Sequence, residues 1–208
     1  MRLADFIYKT GVFCGKIPNI FPIFKIRQLF FSGYYGSRFA SIGVRFRIST
    51  PLKFIHGAQY IHIGDDVCIH PFVRIEAIND KQTNKQTNKQ LIIIGDRCAL
   101  GYNTQINACN KIEIGDDVLF ASNVYITDHY HGNMSISENQ IPPVLRNIWS
   151  KGPVIIGARC WLGQNVSIMP NVTLGENCIV GANSVVTHSF PANSVIAGCP
   201  AKLIKVIE

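Results

Sequence analysis

Apolar residues recur at every sixth position along much of this chain. From Ile156 the series Ile156, Leu162, Ile168, Leu174, Val180 and Val186 is aliphatic throughout. Glycine follows at Gly157, Gly163, Gly175 and Gly181, and small or β-branched residues stand four places on at Cys160, Val166, Val172, Cys178 and Ser184. The same register holds upstream at Ile63, Ile69 and Ile75, at Ile94, Leu100 and Ile106, and at Ile114, Phe120 and Ile126. A period of six is neither 3.6 nor 2, which excludes one long amphipathic helix and a flat alternating strand. It predicts a short strand and then a corner, with the aliphatic side chain inward each time. The small residue fits beside it in a narrow core, which accounts for Cys98, Cys160 and Cys178 as packing residues. Glycine is expected to relieve the backbone at the corners. Three such faces close one turn of a parallel β-helix.

Two stretches break the pattern. Residues 80–90, DKQTNKQTNKQ, form a polar low-complexity insert and read as a solvated loop. Residues 128–153 form a longer excursion that carries two histidines. The expected organisation is a cap over 1–40, a repeat body over 41–200 and a tail over 201–208.

Composition fits a single domain: 208 residues, 47% hydrophobic and 16% charged, too apolar for general disorder. The net charge of +7 is unevenly placed. Residues 1–53 carry nine Lys/Arg against Asp5 alone, so the excess belongs to the N-terminal segment. That segment also holds Phe6, Tyr8, Phe13, Phe21, Phe24, Phe30, Phe31, Tyr34 and Tyr35. Basic plus aromatic residues suit an element lying on an anionic membrane, and equally a cap whose aromatics cover the open end of the core. Nucleic acid is not expected, because no recognition motif accompanies the charge. No apolar run reaches the length of a transmembrane helix, and no signal peptide with a small-residue cleavage site is evident. The seven cysteines are scattered and form no CxxC pair, which reads as reduced thiols in a cytoplasmic protein. Metal binding is not expected: His56, His62 and His70 are dispersed and lack ligand companions. There is no GxSxG elbow, and no cysteine stands beside a histidine as a nucleophile.

Three stretches, KIEIGDDVLFASNVYITDHYHGN (111–133), SKGPVIIGARCWLGQNVSIMPNVTLGENCIVGANSVV (150–186) and NSVIAGCPAKLIKVI (193–207), resemble the hexapeptide-repeat acyltransferases. The likeness is greatest to the O-acetyltransferases of lipopolysaccharide and capsule biosynthesis. It implies an all-β fold, a left-handed parallel β-helix with a partly helical N-terminal cap and an extended active-site loop. It also implies acetyl-CoA as co-substrate without a metal, a sugar or polysaccharide-precursor acceptor, and a homotrimer with sites shared between subunits. The expected place is the cytoplasm, with possible residence at the inner-membrane surface.

Acyl transfer from a thioester to a hydroxyl needs a base for the hydroxyl proton and donors for the oxyanion. Histidine suits the first task. By resemblance, the register makes His131, five places after Ile126, the general base, with His129 as second candidate or acceptor contact. Asp128 is read as ending the strand, with orientation of a histidine as its alternative. Trp161 is expected to face outward toward the acetyl end of CoA or toward a neighbouring subunit. Trp149 suits stacking on a sugar ring or pinning the loop. Asn107 resembles an acceptor contact, a buried amide ladder being its structural alternative. Gly163, Gly181 and Ala182 are small positions for the pantetheine arm, though the hexad itself calls for both glycines. Ala197, Gly198 and Pro200 form the family's terminal turn. Lys202 and Lys205 are expected on one face as partners of the CoA phosphates. The chain departs from the family at His188 and Ser189, which receive no role. Two other readings remain: acylation of an amino sugar or antibiotic, and a non-catalytic scaffold.

Overall fold

The computed structural model describes residues 23–79, 90–133 and 135–208. Short strands wind into a three-sided coil, a left-handed parallel β-helix. The first face stacks Ser41–Ile42, Ile61–Ile63, Ile92–Ile94, Ile112–Ile114, Val154–Ile156 and Thr173–Leu174. The second stacks Arg47–Ile48, Cys68–Ile69, Ala99–Leu100, Leu119–Phe120, Trp161–Leu162 and Ile179–Val180, and then Ser194–Gly198. The third stacks Phe54–His56, Arg74–Ala77, Gln105–Ala108, Tyr125–Thr127, Ser167–Ile168 and Val185–Val186. Pairing between successive coils is parallel and in register, for example Leu119 with Trp161 and Trp161 with Ile179.

The sixfold period is the cause of this shape. Every aliphatic of the hexad series is buried, and so are Cys98, Cys160 and Cys178 beside them. The inward column is one contiguous core running the length of the coil. Truncating a central member leaves a cavity that stacked backbones cannot close. Ile106→Ala is therefore expected to cost about 2–5 kcal/mol, read from equilibrium denaturant unfolding.

The corners depart from expectation in one respect. The left-handed backbone positions are held mostly by Asp, Asn and Arg, at Arg45, Asp66, Arg97, Asp117, Arg159, Asn177 and Asn193 on the first corner. On the second corner they fall at Phe72, Asn103, Asn123, Asn165 and Asn183. Asparagine and aspartate tolerate this region, and their amides stack: Asn123 donates to Asn165 at 3.0 Å and Asn165 to Asn183 at 2.8 Å. The hexad glycines serve close approach of the coils. A Cβ on Gly157 would lie 2.6 Å from the Glu176 nitrogen of the next coil.

A helix, α1 (Ile23–Gly36), lies against the first coil. Ser32 ties it down: its hydroxyl donates to the Gln28 carbonyl at 2.6 Å and accepts from the Ile48 amide at 3.0 Å. Phe31 and Tyr35 pack on the core. The opposite side leaves Ile26, Leu29, Phe30 and Tyr34 in solvent, Phe30 at 66% exposure. Residues 1–22 of the expected cap lie outside the described residues, as does nearly all of the 80–90 insert. No described helix is long and apolar enough to cross a membrane.

The expected tail is instead a strand. Ala201–Val206 turns back and pairs antiparallel with Ser194–Gly198, extending the second face. The register shifts by one residue beside Val195 and Ile196, so Lys205 lies opposite Val195 and Lys202 opposite Ala197. Val195 and Ala197 are two apart and share a side of the sheet. A bulge thus sets both lysines on one side, which a regular strand at that spacing would not.

Candidate active site

The loop opens at the third corner, where the third face would otherwise pass back to the first. It holds a short antiparallel ribbon, Tyr130–His131 against Ile148–Trp149, in which the Tyr130 and Trp149 rings stack at 6.5 Å. Ser150 closes its base by donating to the Asp128 carbonyl at 2.7 Å. Trp149 is therefore engaged in holding the ribbon, while still partly exposed.

Asp128 is the anchor of the region. Its side chain is fully buried and lies in a cup of three successive backbone amides from the coil before: Cys109 at 2.9 Å, Asn110 at 2.8 Å and Lys111 at 2.8 Å. Consecutive N–H groups of this kind bind an anion. The fourth partner is Nδ1 of His129, 2.9 Å from Oδ1. A carboxylate so occupied accepts, so Nδ1 is the donor and Nε2 keeps the lone pair. The His129 side chain is 11% exposed, enough to meet a ligand while held in one orientation. The reading of Asp128 as merely ending its strand is thus corrected: it joins two coils and orients a histidine.

The other histidine is placed differently. His131 is on the outer ribbon, paired with Ile148 and exposed. The structure brings Asp128 and His129 together and leaves His131 apart from both. Cys109, one full coil away in sequence, is drawn beside them: its sulfur, an Asp128 oxygen and a His129 nitrogen all lie within 4.8 Å of one another. The separation of 109 from 129 in sequence hides this proximity, which stacking of the coils makes.

Asn107 is buried in the same column as Thr127, which it pairs, and as Glu76 one coil earlier. With its amide nitrogen donating, it reaches Glu76 Oε2 at 3.3 Å. The partner is a carboxylate, so this contact is not an amide ladder. Glu76 and Thr127 flank Asn107 in this column. Both follow an inward isoleucine directly, as Asn107 does, and that shared register was the available signal.

The remaining candidates lie on the second face and corner. Trp161 points outward and is 51% exposed, in a column that continues through Ile179 and Val195 to Lys205. Three inter-strand steps make that about 14 Å. Gly163, Gly181 and Ala197 follow the inward Leu162, Val180 and Ile196 and form a column of small residues, with Lys202 opposite Ala197. The glycine at 163 has a packing reason of its own, since a Cβ there would lie 2.7 Å from the Ala182 nitrogen. Cys199 and Pro200 form the cis turn of this end, between Gly198 and the last strand. His188 packs on the Phe190 ring at 4.5 Å, away from both groups.

These two groups occupy different edges of one triangular coil. The third corner with His129 is the edge opposite the second face with Trp161.

A left-handed β-helix with a histidine at the mouth of an inserted loop defines a class, the hexapeptide-repeat transferases. The chain belongs to that family. Residues 153–188 match the bacterial transferase hexapeptide family, six repeats, and residues 91–128 match the hexapeptide repeat of succinyl-transferase. An Escherichia coli K12 protein provisionally named colanic acid biosynthesis acetyltransferase WcaF is 30% identical over 164 residues, 78% of this chain and 76% of that protein. Another from the same organism, provisionally named lipopolysaccharide biosynthesis O-acetyl transferase WbbJ, is 44% identical over 119 residues, 55% of this chain. The chain spans 60% of WbbJ and 65% of the Escherichia coli K12 galactoside O-acetyltransferase, less than two thirds of either. Among solved structures, AntD, an N-acyltransferase from Bacillus cereus in complex with dTDP and 3-hydroxybutyryl-CoA, superposes with a TM-score of 0.68 at 23% identity. That match covers 85% of this chain and 88% of AntD, and at this identity it bears on the fold.

Proposed function

We propose that the chain transfers an acetyl group from acetyl-CoA to a sugar hydroxyl in the assembly of a surface polysaccharide. The observation that carries this reading is the buried Asp128 cup holding His129 with one nitrogen committed and the other ready to accept a proton. Membership of a family whose relatives are named for lipopolysaccharide and colanic acid biosynthesis supports the acceptor class.

His129 Nε2 takes the hydroxyl proton as the oxygen attacks the thioester carbonyl, and the thiolate of CoA leaves. The same imidazolium then returns its proton to the leaving sulfur, so the chain ends unchanged. This assigns the base to His129 and leaves His131, on the ribbon, as an acceptor contact with Trp149 and Asn107. CoA lies along the small-residue column of Gly163, Gly181, Ala182 and Ala197. Its acetyl end reaches Trp161, and Lys202 and Lys205 meet its phosphates. Because Trp161 and His129 sit on opposed edges, the working unit is a trimer in which one chain's histidine meets its neighbour's tryptophan. The exposed Ile26, Leu29, Phe30 and Tyr34 of α1, next to a basic segment, suit a membrane-bound acceptor.

Labelled acetyl-CoA offered with nucleotide sugars, polysaccharide fragments, amino sugars and antibiotics tests the reaction. Label on a sugar oxygen supports it; label on nitrogen alone, or no acetyl-CoA binding, overturns it. Lys202→Ala is expected to raise the KM for acetyl-CoA about three- to tenfold, the effect of losing ~1 kcal/mol from an exposed charge contact. An unchanged KM removes that lysine from the CoA site.

A further inference from the structure

We propose that Cys109, Asp128 and His129 form a site for a soft divalent cation of the Zn²⁺ class, and that its occupancy switches the enzyme off. The metal site stands on geometry alone; its effect on turnover rests on His129 as the base.

The three ligand atoms, a thiol sulfur, a carboxylate oxygen and an imidazole nitrogen, all lie within 4.8 Å of one another. In a tetrahedral zinc site with bonds of about 2.0–2.3 Å, ligand atoms stand about 3.3–3.8 Å apart. The gap closes by small side-chain rotations. Cys109 and Asp128 are buried, and their segments are already joined by the Cys109 amide on Asp128 Oδ1 at 2.9 Å. The partly exposed His129 ring is the way in. Thiolate with imidazole and carboxylate selects zinc or cobalt and disfavours Mg²⁺ and Ca²⁺, which want oxygen ligands. Three protein ligands leave a fourth position for water.

The protons balance simply. Binding expels the thiol proton to solvent, as metal binding to cysteine must. The metal takes Nδ1 in place of the hydrogen bond to Asp128. A neutral imidazole metallated at Nδ1 carries its one ring proton on Nε2, so the nitrogen that should accept the hydroxyl proton becomes a donor. The switch therefore acts by tautomer, with no need to block the acceptor.

The test uses the full chain freed of metal with a chelator. Co²⁺ titration is expected to give a thiolate-to-metal charge-transfer band saturating at one ion per chain, displaced by Zn²⁺ and lost in both Cys109→Ser and Cys109→Ala. Buffered micromolar Zn²⁺ should lower turnover about tenfold or more in the parent chain and less than about twofold in the two variants, with recovery on chelation and no effect of Mg²⁺. Absence of the band, or its persistence in both cysteine variants, overturns the site. A normal band with turnover indifferent to Zn²⁺ overturns the switch. Metal-free turnover of His129→Ala reads the base assignment separately.

Discussion

Replacing His129 with alanine is expected to lower kcat for acetyl transfer by about 10²–10⁴-fold, the usual contribution of a positioned general base. The reason is geometric. Of the two loop histidines, His129 alone has a nitrogen fixed by a buried carboxylate, and a fixed ring presents its other nitrogen in a defined tautomer. The His131 ring is on an exposed ribbon. His131→Ala is therefore expected to change kcat less than about tenfold and to act mainly through acceptor KM. Steady-state rates of CoA release for both variants decide the matter. A large kcat loss in His131→Ala with near-normal turnover in His129→Ala would return the role to position 131. The His129 side chain is 11% exposed and bonded to buried Asp128, so its removal should also cost about 1–3 kcal/mol of stability, read from thermal unfolding.

Asp128→Asn should damage both stability and rate. An asparagine can offer one oxygen to the cup, but its amide nitrogen then faces donors. Asn110 and Lys111 both donate to Oδ2, so the amide oxygen serves them and the nitrogen falls at the Oδ1 place, where the Cys109 amide loses its acceptor. One unsatisfied buried donor costs about 1–3 kcal/mol. The fall in kcat is expected to be about 10²–10⁴-fold as well, because the substituted side chain no longer demands a donor at Nδ1 and the ring is free to take the wrong tautomer. Denaturant unfolding and kcat, measured on the same preparation, check the two parts. A variant that loses stability yet keeps full turnover would show that Asp128 only braces the corner.

The fold was legible because a six-residue period has one simple solution, and each hexad aliphatic occupies the core position its spacing predicts. Corner chemistry was less so. Glycine drew attention as the flexible residue, whereas most left-handed positions fall two places later, on Asp, Asn and Arg. The site was legible only in part. Its histidines stand in one short run, but choosing between them needs the amides of residues 109–111, which a coil stacks beneath Asp128 from nearly twenty positions away. Counting from Ile126 carries no trace of that cup. Cys109 escaped for the same reason. The lysines at 202 and 205 share a side through a bulge that spacing alone does not reveal.

A crystal structure of the protein with bound CoA tests most directly whether one chain's oriented histidine works on a thioester carried by its neighbour. The cofactor sulfur is expected about 3–4 Å from His129 Nε2, with the pantetheine arm against Gly163 and Gly181 of the adjacent subunit and that subunit's Trp161 alongside. CoA bound with its sulfur remote from every His129, or beside His131 instead, would contradict the account.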